Sequence, residues 1–221
     1  MTMCKDERFL CPLCGAEQQF RMYPSVNVTV NPELKEKILD HTLPVMTCRS
    51  CGEKTMVFYH LLYHDVSRRL AVWLVYPPGE GLSENEQAFG IHYTSRQVKD
   101  WWELCEKINI SDYGCEDYEI ELAKLIIAID VGIKESDRFI FSNFAKTDTC
   151  DKLAVFLWFN EEGPCPMYLD WSVFVEEKGY LFPCLEEMFK GQNRWVYLNR
   201  KRLHYYMFGT ETIKPLRWRF I

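Results

Sequence analysis

The sequence contains 221 residues, of which 48% are hydrophobic and 26% are charged, a size that suits one large domain or two modest ones. Its apolar and aromatic content excludes a mainly disordered chain. The formal charge of −6 disfavours a general nucleic-acid coat, because such proteins neutralise phosphates with many lysines and arginines. No apolar run approaches the roughly 20 residues of a membrane-spanning helix, and the first eight residues lack the apolar segment of a secretory signal. We therefore expect a soluble, cytoplasmic protein without a membrane partner.

Two Cys-x-x-Cys-Gly motifs carry the strongest chemical signal in the chain. The first contains Cys11 and Cys14, and the second contains Cys48 and Cys51. Two intervening residues let the chain curl round one ion, and the glycine that follows tolerates the left-handed backbone that turns amides toward the sulfurs. Four thiolates suit zinc and leave no open position for water or substrate. The motifs therefore predict a structural, non-catalytic Zn²⁺ site.

Disulfides, a redox pair and an iron centre are the alternatives for these four cysteines. Disulfides need an oxidising compartment that nothing in the sequence indicates, and a redox pair does not require a second copy of the motif. An iron centre would use the same ligands. The six other cysteines stand singly and are expected to pack as small apolar side chains: Cys4, Cys105, Cys115, Cys150, Cys165 and Cys184.

The segment between the motifs is predicted to contain a strand and a short helix. Alternating valines from Val26 to Val30 indicate a strand with one buried face. In the helix predicted over residues 31–39, Asn31 is expected to be the cap, and Leu34 and Ile38 share one face with the adjacent Leu39. These elements would form an insertion within a zinc ribbon.

After the second motif, residues 55–63 and 68–76 are rich in β-forming side chains and predict a hairpin that continues the ribbon. The segment that begins at Pro77 is rich in proline and glycine and breaks this pattern. We therefore expect a zinc-ribbon domain over residues 1–79 and an α+β domain over residues 80–221.

The second domain is predicted to begin with two helices, over residues 97–108 and 116–129, with Gly114 in the turn between them. The acidic residues of the second helix are expected to form a solvated first turn that complements the helix dipole: Glu116, Asp117, Glu119 and Glu121. Strands are predicted over residues 139–144, 153–159 and 168–175 and as a bent pair over 195–207, with a turn at 161–164 and a helix near 184–190.

Two histidines offer a second candidate site. His60 and His64 lie four residues apart, beside Asp65, so a regular helix or strand would place both rings on one face. They could form a metal or acid–base site, or an ordinary surface or half-buried pair. The segment lacks the glutamate and the third ligand of a zinc hydrolase, so we predict no catalytic residues and no enzymatic activity.

Residues 194–221 combine seven basic residues with one acidic residue, and aromatic residues are interleaved with the cations. This mixture is used for stacking on single-stranded nucleic acid. The favoured alternatives are amphipathic strands with outward-facing cations, or docking of this segment on the acidic remainder of the chain.

The motifs and the segments around them resemble the CpXC family, a largely bacterial set named for its Cys-Pro-x-Cys knuckle. The resemblance extends over most of the chain and rests on Cys-Pro-Leu-Cys-Gly (11–15), Val-Asn-Val (26–28), Asn-Pro-Glu-Leu-Lys (31–35), Cys-Arg-Ser-Cys-Gly (48–52), Leu-Leu-Tyr-His-Asp (61–65), Glu-Leu-Cys-Glu-Lys-Ile (103–108), Gly-Cys-Glu-Asp (114–117) and Ile-Glu-Leu-Ala-Lys (120–124). Arg49 stands where the family usually has proline, which is expected to loosen the second knuckle without removing a ligand. The resemblance implies a zinc-binding domain without an established activity.

The sequence thus predicts an α+β protein: an N-terminal zinc ribbon with a strand–helix insertion, then a helical segment and an antiparallel, β-rich C-terminal region. The favoured function is non-catalytic binding of an unidentified protein partner, or a scaffold role. Fold-level analogy with other zinc ribbons is the basis of that hypothesis. The alternatives are a nucleic-acid-binding protein that uses the ribbon and the basic C-terminal segment, and an enzyme with a site near His60 and His64.

Overall fold

The computed structural model describes residues 1–77, 88–189 and 195–208. The strands in this part of the chain are β1 (Met3–Leu10), β2 (Glu17–Asn27), β3 (Val45–Thr47), β4 (Lys54–Met56), β5 (Leu61–Asp65), β6 (Leu70–Leu74), β7 (Thr94–Val98), β8 (Arg138–Ala145), β9 (Leu153–Asn160), β10 (Gly163–Asp170) and β11 (Val196–Tyr197). The α-helices are α1 (Glu33–Leu39), α2 (Trp101–Asp112), α3 (Asp117–Val131), α4 (Trp171–Lys178), α5 (Phe182–Phe189) and α6 (Arg200–Phe208), and a 3₁₀ helix (Gly179–Leu181) follows α4. The predicted mixed α+β class is confirmed.

The chain divides into two compact units. The first comprises Met1–Cys105 with Gly191–Val196, and the second comprises Glu106–Lys190 with Tyr197–Ile221. The division falls within α2. The domain boundary predicted between residues 79 and 80 lies outside the described residues and stays a prediction.

A mixed sheet with the strand order β1-β2-β5-β6-β7-β11 and a small β3–β4 hairpin form the strands of the first unit. The predicted hairpin after the second motif is confirmed as the antiparallel pair β5–β6, although both strands are shorter than predicted. Strand β5 also pairs in parallel with β2, and β6 pairs in parallel with β7. These parallel pairings join segments that are distant in sequence.

The segment between the two motifs differs from its prediction at the end of the strand and at the start of the helix. Strand β2 ends at Asn27, whose side chain accepts a hydrogen bond from the backbone of Thr29 (3.0 Å) and so begins a turn. As a result, Val30 lies in the turn and is 65% exposed. The Asn31 side chain donates to the Glu33 carboxylate and does not cap α1.

Helix α1 is held against the start of α2. Leu34 and Ile38 are buried, and the Ile38 carbonyl accepts hydrogen bonds from Trp101 Nε1 (2.9 Å) and Cys105 Sγ (3.4 Å). The predicted helix start at residue 97 is wrong because residues 94–98 form β7. The helix begins after Asp100, whose carboxylate accepts a hydrogen bond from the Glu103 N–H (2.9 Å), as a cap does.

The second unit combines the antiparallel sheet β10-β9-β8 with helices α3 to α6. The predicted strands over 139–144 and 153–159 are confirmed as β8 and β9, and the helix near 184–190 as α5, with residue 190 outside the described residues. The predicted strands over 168–175 and 195–207 are confirmed only at residues 168–170 and 196–197, and most of their remaining residues form α4 and α6. The chain turns from β10 into α4 because Asp170 caps the backbone of Ser172 and Val173, and Asn199 likewise accepts from the backbone of Arg202 at the start of α6.

The acidic residues of α3 are only partly solvated, contrary to their prediction: Asp117 and Glu121 are buried, and Glu116 and Glu119 are half-buried. Lys107 Nζ lies 3.1 Å from Asp117 Oδ2 and 3.0 Å from Glu121 Oε1. Lys124 Nζ lies 3.1 Å from Glu121 Oε2 and 2.9 Å from Glu106 Oε1. All five side chains are at most 5% exposed, and we call them the buried charge cluster. They are buried because each charge has a partner of opposite sign within hydrogen-bonding distance.

We predict that Lys107→Met lowers the free energy of unfolding of the second unit by about 3–5 kcal/mol, because two buried carboxylates lose a common cation. The control is Lys146→Met, which removes an exposed ion pair with Asp151 and should cost less than about 1 kcal/mol. Hydrogen exchange of second-unit peptides over a urea series measures both effects. Equal effects of the two substitutions would contradict the prediction.

Candidate metal centre

Each Cys-x-x-Cys-Gly motif forms the turn of a β-hairpin. The first motif joins β1 to β2, and the second joins β3 to β4. In both turns the N–H of the first cysteine donates to the carbonyl five residues further on, at 2.9 Å for Cys11 and 2.7 Å for Cys48. In both, the glycine N–H donates back to the carbonyl of that first cysteine at 2.9 Å. The two motifs therefore have the same backbone structure.

The glycine of each motif is required by its backbone angle. Gly15 has φ +71° and Gly52 has φ +78°, both in the left-handed region. A Cβ atom at either position would meet no atom within 4 Å, so space does not select glycine here. Side chains are disfavoured at these positions because of the left-handed conformation itself.

The two hairpins bring the four predicted ligands together. The sulfurs of Cys11 and Cys51 lie 3.7 Å apart, as do those of Cys14 and Cys48, and all four lie within 4.8 Å of one another. A tetrahedral site with Zn–S bonds of about 2.3 Å has sulfur–sulfur edges of about 3.8 Å. The donor set and its spacing therefore fit one metal ion such as zinc.

Backbone groups favour a thiolate at Cys48. The N–H groups of Cys51 and Ser50 lower the pKa of Cys48 to about 6. Cys11 and Cys48 are buried, whereas Cys14 and Cys51 are exposed. Each hairpin thus supplies one buried and one exposed sulfur, and the site lies at the surface of the first unit.

Gln18 of β2 connects the first hairpin to the second knuckle. Its side chain donates to the Thr47 carbonyl (3.1 Å) and accepts from the Arg49 N–H (2.9 Å). Proline has no N–H to donate, so a proline at position 49 would lose the hydrogen bond to Gln18. The expectation that Arg49 loosens the turn overlooked this bond, since sequence reasoning gave no signal that Gln18 and Arg49 meet.

The structure does not bring His60 and His64 together. His60 comes just before β5 and His64 is its fourth residue, so an extended chain at about 3.3 Å per residue separates them by roughly 13 Å. His60 Nδ1 accepts a hydrogen bond from the Tyr76 N–H (3.1 Å), and His64 Nε2 lies 3.1 Å from the Tyr93 hydroxyl. Within the described ranges, the four cysteines form the only group of three or more residues with metal-ligating atoms in reach of one ion.

Asp65, the third member of that candidate, serves a turn. It is 4% exposed, and its carboxylate accepts hydrogen bonds from the Ser67 hydroxyl (2.6 Å) and the Arg68 N–H (3.1 Å). These bonds fix the turn between β5 and β6. The side chains at positions 60, 64 and 65 therefore each have a separate structural environment.

Helix α6, which carries three cations of the basic C-terminal segment, belongs to the second unit. Arg200 is 6% exposed, and its guanidinium donates to the carbonyls of Lys134 and Asp137. Lys201 pairs with Glu135 at 3.4 Å. Arg202 also lies in α6. The remaining cations of this segment lie outside the described residues: Arg194, Lys214, Arg217 and Arg219.

The fold and site define a mixed α+β protein with an N-terminal four-cysteine cluster that can hold a metal ion. Residues 9–124 match the model described as CpXC protein, which is just over half of the chain, and the chain belongs to the CpXC family. The match contains every segment on which the predicted resemblance rests, from residue 11 to residue 124, and it confirms that resemblance. No protein with a curated description and no solved structure matches this chain. None of the described helices has the length and apolar character needed to cross a membrane.

We predict that the protein purified in reducing buffer carries about one metal ion per chain and that Cys14→Ser loses most of it. With one of four ligands gone, the β1–β2 and β3–β4 hairpins should also lose hydrogen-exchange protection. The control is Cys165→Ser, since Cys165 is also exposed and lies outside the motifs. Elemental analysis measures the ion, and an intact first unit with neither zinc nor iron would contradict the prediction.

Proposed function

We propose that this CpXC protein is a non-catalytic, cytoplasmic module in which a zinc ribbon binds a protein partner or serves as a scaffold. In this proposal Cys11, Cys14, Cys48 and Cys51 hold one structural Zn²⁺, and the segment with α1 is an insertion in the ribbon. The arrangement of four sulfurs within 4.8 Å is the observation that carries the proposal. A tetrahedral ion with four protein ligands keeps no position for substrate.

Apolar side chains beside the cysteines support a partner-binding role. Leu10 ends β1 and is 67% exposed, and Leu13 lies within the first knuckle and is 69% exposed. Two large apolar side chains beside a rigid metal site can enter a pocket of a partner at low entropic cost, since the metal has already ordered their backbone. We call Leu10 and Leu13 the knuckle leucines.

Neither alternative gains a specific supporting observation. Among the described cations of the C-terminal segment, Arg200 is buried and Lys201 is paired with Glu135, which leaves less charge for a phosphate backbone. The hydrogen bonds of His60 and His64 go to different partners, Tyr76 and Tyr93, and so add no support for the enzyme alternative. The nucleic-acid alternative is tested below.

We predict that Leu10→Ser together with Leu13→Ser abolishes capture of the partner in pull-downs from the native host, while the metal content stays unchanged. The control is Val30→Ser, which changes an equally exposed residue of the same unit away from the knuckles. Mass spectrometry identifies the proteins captured by wild type and control but missing with the double variant. If the double variant captures the same proteins as wild type, the knuckle leucines are not the binding surface.

We also predict that the protein does not bind single-stranded DNA or RNA at low salt, where attraction to phosphates is strongest. The reason is the net charge of −6, which repels a phosphate backbone on approach. Fluorescence anisotropy with labelled oligonucleotides measures this. Binding that weakens steeply with added salt and is lost in Lys201→Glu with Arg202→Glu would favour the nucleic-acid alternative instead.

A further inference from the structure

Two contacts between cysteine sulfurs join one hairpin of the metal site to the other. Cys11 Sγ lies 3.7 Å from Cys51 Sγ, and Cys14 Sγ lies 3.7 Å from Cys48 Sγ. The first cysteine of each knuckle therefore lies against the second cysteine of the other knuckle. A disulfide bond is about 2.05 Å long, so each pair would have to close by about 1.7 Å to form one.

Each of these pairs combines an exposed cysteine with a buried one. Cys14 and Cys51 are exposed, whereas Cys11 and Cys48 are buried. A small oxidant such as hydrogen peroxide can therefore reach one member of each pair directly. Once that sulfur is oxidised, its partner is already in contact with it, so the reaction within the protein outruns capture by a thiol from solution.

Pairing within one knuckle is the alternative. It would link Cys11 to Cys14 and Cys48 to Cys51, and it would leave the two hairpins without a covalent connection. Gln18 holds the second knuckle beside β2 through two hydrogen bonds that need no metal ion. The approach of the two hairpins is thus supported during oxidation as well, which favours pairing between them.

We propose that the four cysteines are a redox site that closes across the hairpins, forming the disulfides Cys11–Cys51 and Cys14–Cys48 when hydrogen peroxide oxidises them. The proposal rests on the four-cysteine site of the proposed function and not on the binding of a partner. Disulfides in reducing compartments are usually transient. The two bonds therefore belong to the oxidised state, and the reduced state keeps four thiolates.

The reaction of one pair consumes one molecule of peroxide. The Cys14 thiolate attacks a peroxide oxygen, the O–O bond breaks, and a sulfenic acid and a hydroxide ion form. The Cys48 thiolate then attacks the sulfenic sulfur, the S–O bond breaks, and the disulfide and a second hydroxide ion form. The two thiolates give up two electrons in all, which peroxide accepts. Cys51 and Cys11 react in the same way with a second peroxide.

Oxidation and metal binding exclude each other at this site. A sulfur in a disulfide is no longer a thiolate ligand, and one disulfide already leaves only two of the four ligands. The hairpins nevertheless stay joined, because both disulfides connect the β1–β2 hairpin to the β3–β4 hairpin. Oxidation would therefore release a bound ion without separating the hairpins.

Tryptic digestion of the full-length protein after oxidation identifies the pairing. Trypsin cuts after Arg49 and so separates Cys48 from Cys51, whereas Cys11 and Cys14 stay on one peptide. After treatment with about two equivalents of hydrogen peroxide and blocking of free thiols, pairing across the hairpins should join three peptides: 9–21, 38–49 and 50–54. A first-knuckle peptide that is not linked to the other two would overturn the proposal, as would sulfinic or sulfonic acids without disulfides.

Two single variants assign the individual bonds. Cys14→Ser should still join the first-knuckle peptide to 50–54, and Cys11→Ser should still join it to 38–49. Where a variant does not fold, fragmentation of the linked wild-type peptides before Pro12 separates the first two cysteines and gives the same assignment. The reverse linkages would show that the sulfurs in contact are not the ones that react, which contradicts the proposal.

Metal release and hydrogen exchange test the consequence. Zinc released from the loaded protein should increase in step with the disulfides, and Cys165→Ser, which changes an exposed cysteine outside the site, should behave as wild type. In excess chelator, the β3–β4 hairpin should keep its protection when oxidised and lose it when reduced. Retention of zinc by the oxidised site would overturn the proposal. A reduced protein that binds no metal contradicts the proposed zinc site instead, and the pairing of the peptides still decides the redox proposal.

Discussion

The arrangement of the first unit depends on the close approach of four cysteine sulfurs from two hairpins. Strand β1 is exposed at seven of its eight residues, and β3 and β4 have three residues each. Hairpins of this kind are marginally stable alone, whereas binding of a structural zinc ion is worth on the order of 10 kcal/mol or more. Both knuckles already have their backbone hydrogen bonds. The free energy of metal binding would therefore stabilise the contact between the two hairpins, to which the hydrogen bond between Gln18 and Arg49 also contributes.

The second unit differs from the first because its core contains charged side chains. Replacing a buried ion network by apolar residues of similar volume often stabilises a protein, while removing one member leaves an uncompensated charge. A network of this kind therefore specifies an arrangement better than it stabilises one. Lys107 and Lys124 each contact two carboxylates, so α2 and α3 cannot slide along each other without breaking several ion pairs.

Sequence reasoning was most successful where the signal was local and chemical. The spacing of the cysteines predicted which four residues meet, and the β5–β6 hairpin and helix α3 follow from their side-chain patterns. It failed where a polar cap decides between strand and helix. The segments that follow Asp170 and Asn199 are rich in aromatic and β-branched residues, which favour strands, but the side chains of Asp170 and Asn199 satisfy the first helical N–H groups.

The buried charges could not be predicted by the same rules, because charged residues at helical spacing are normally on a solvated face. Asp117, Glu121 and Lys124 lie at such spacing on α3, and only the position of Lys107 on another helix shows that this face points inward. No property of a single helix distinguishes the two cases. The distinguishing feature is that charges on one helix complement charges on the other. This can be recognised only when the two helices are known to pack together.

The segment that matches the family model contains both of these features, the four cysteines and the buried charges. Residues 9–124 include the four cysteines and all five members of the buried charge cluster, so the matched segment contains both the candidate metal site and the buried ion pairs. Residue 124 lies within α3, so the match ends inside this helix. The matched segment therefore lacks elements that pack against α3, since β8, α5 and α6 all contact this helix and follow residue 124.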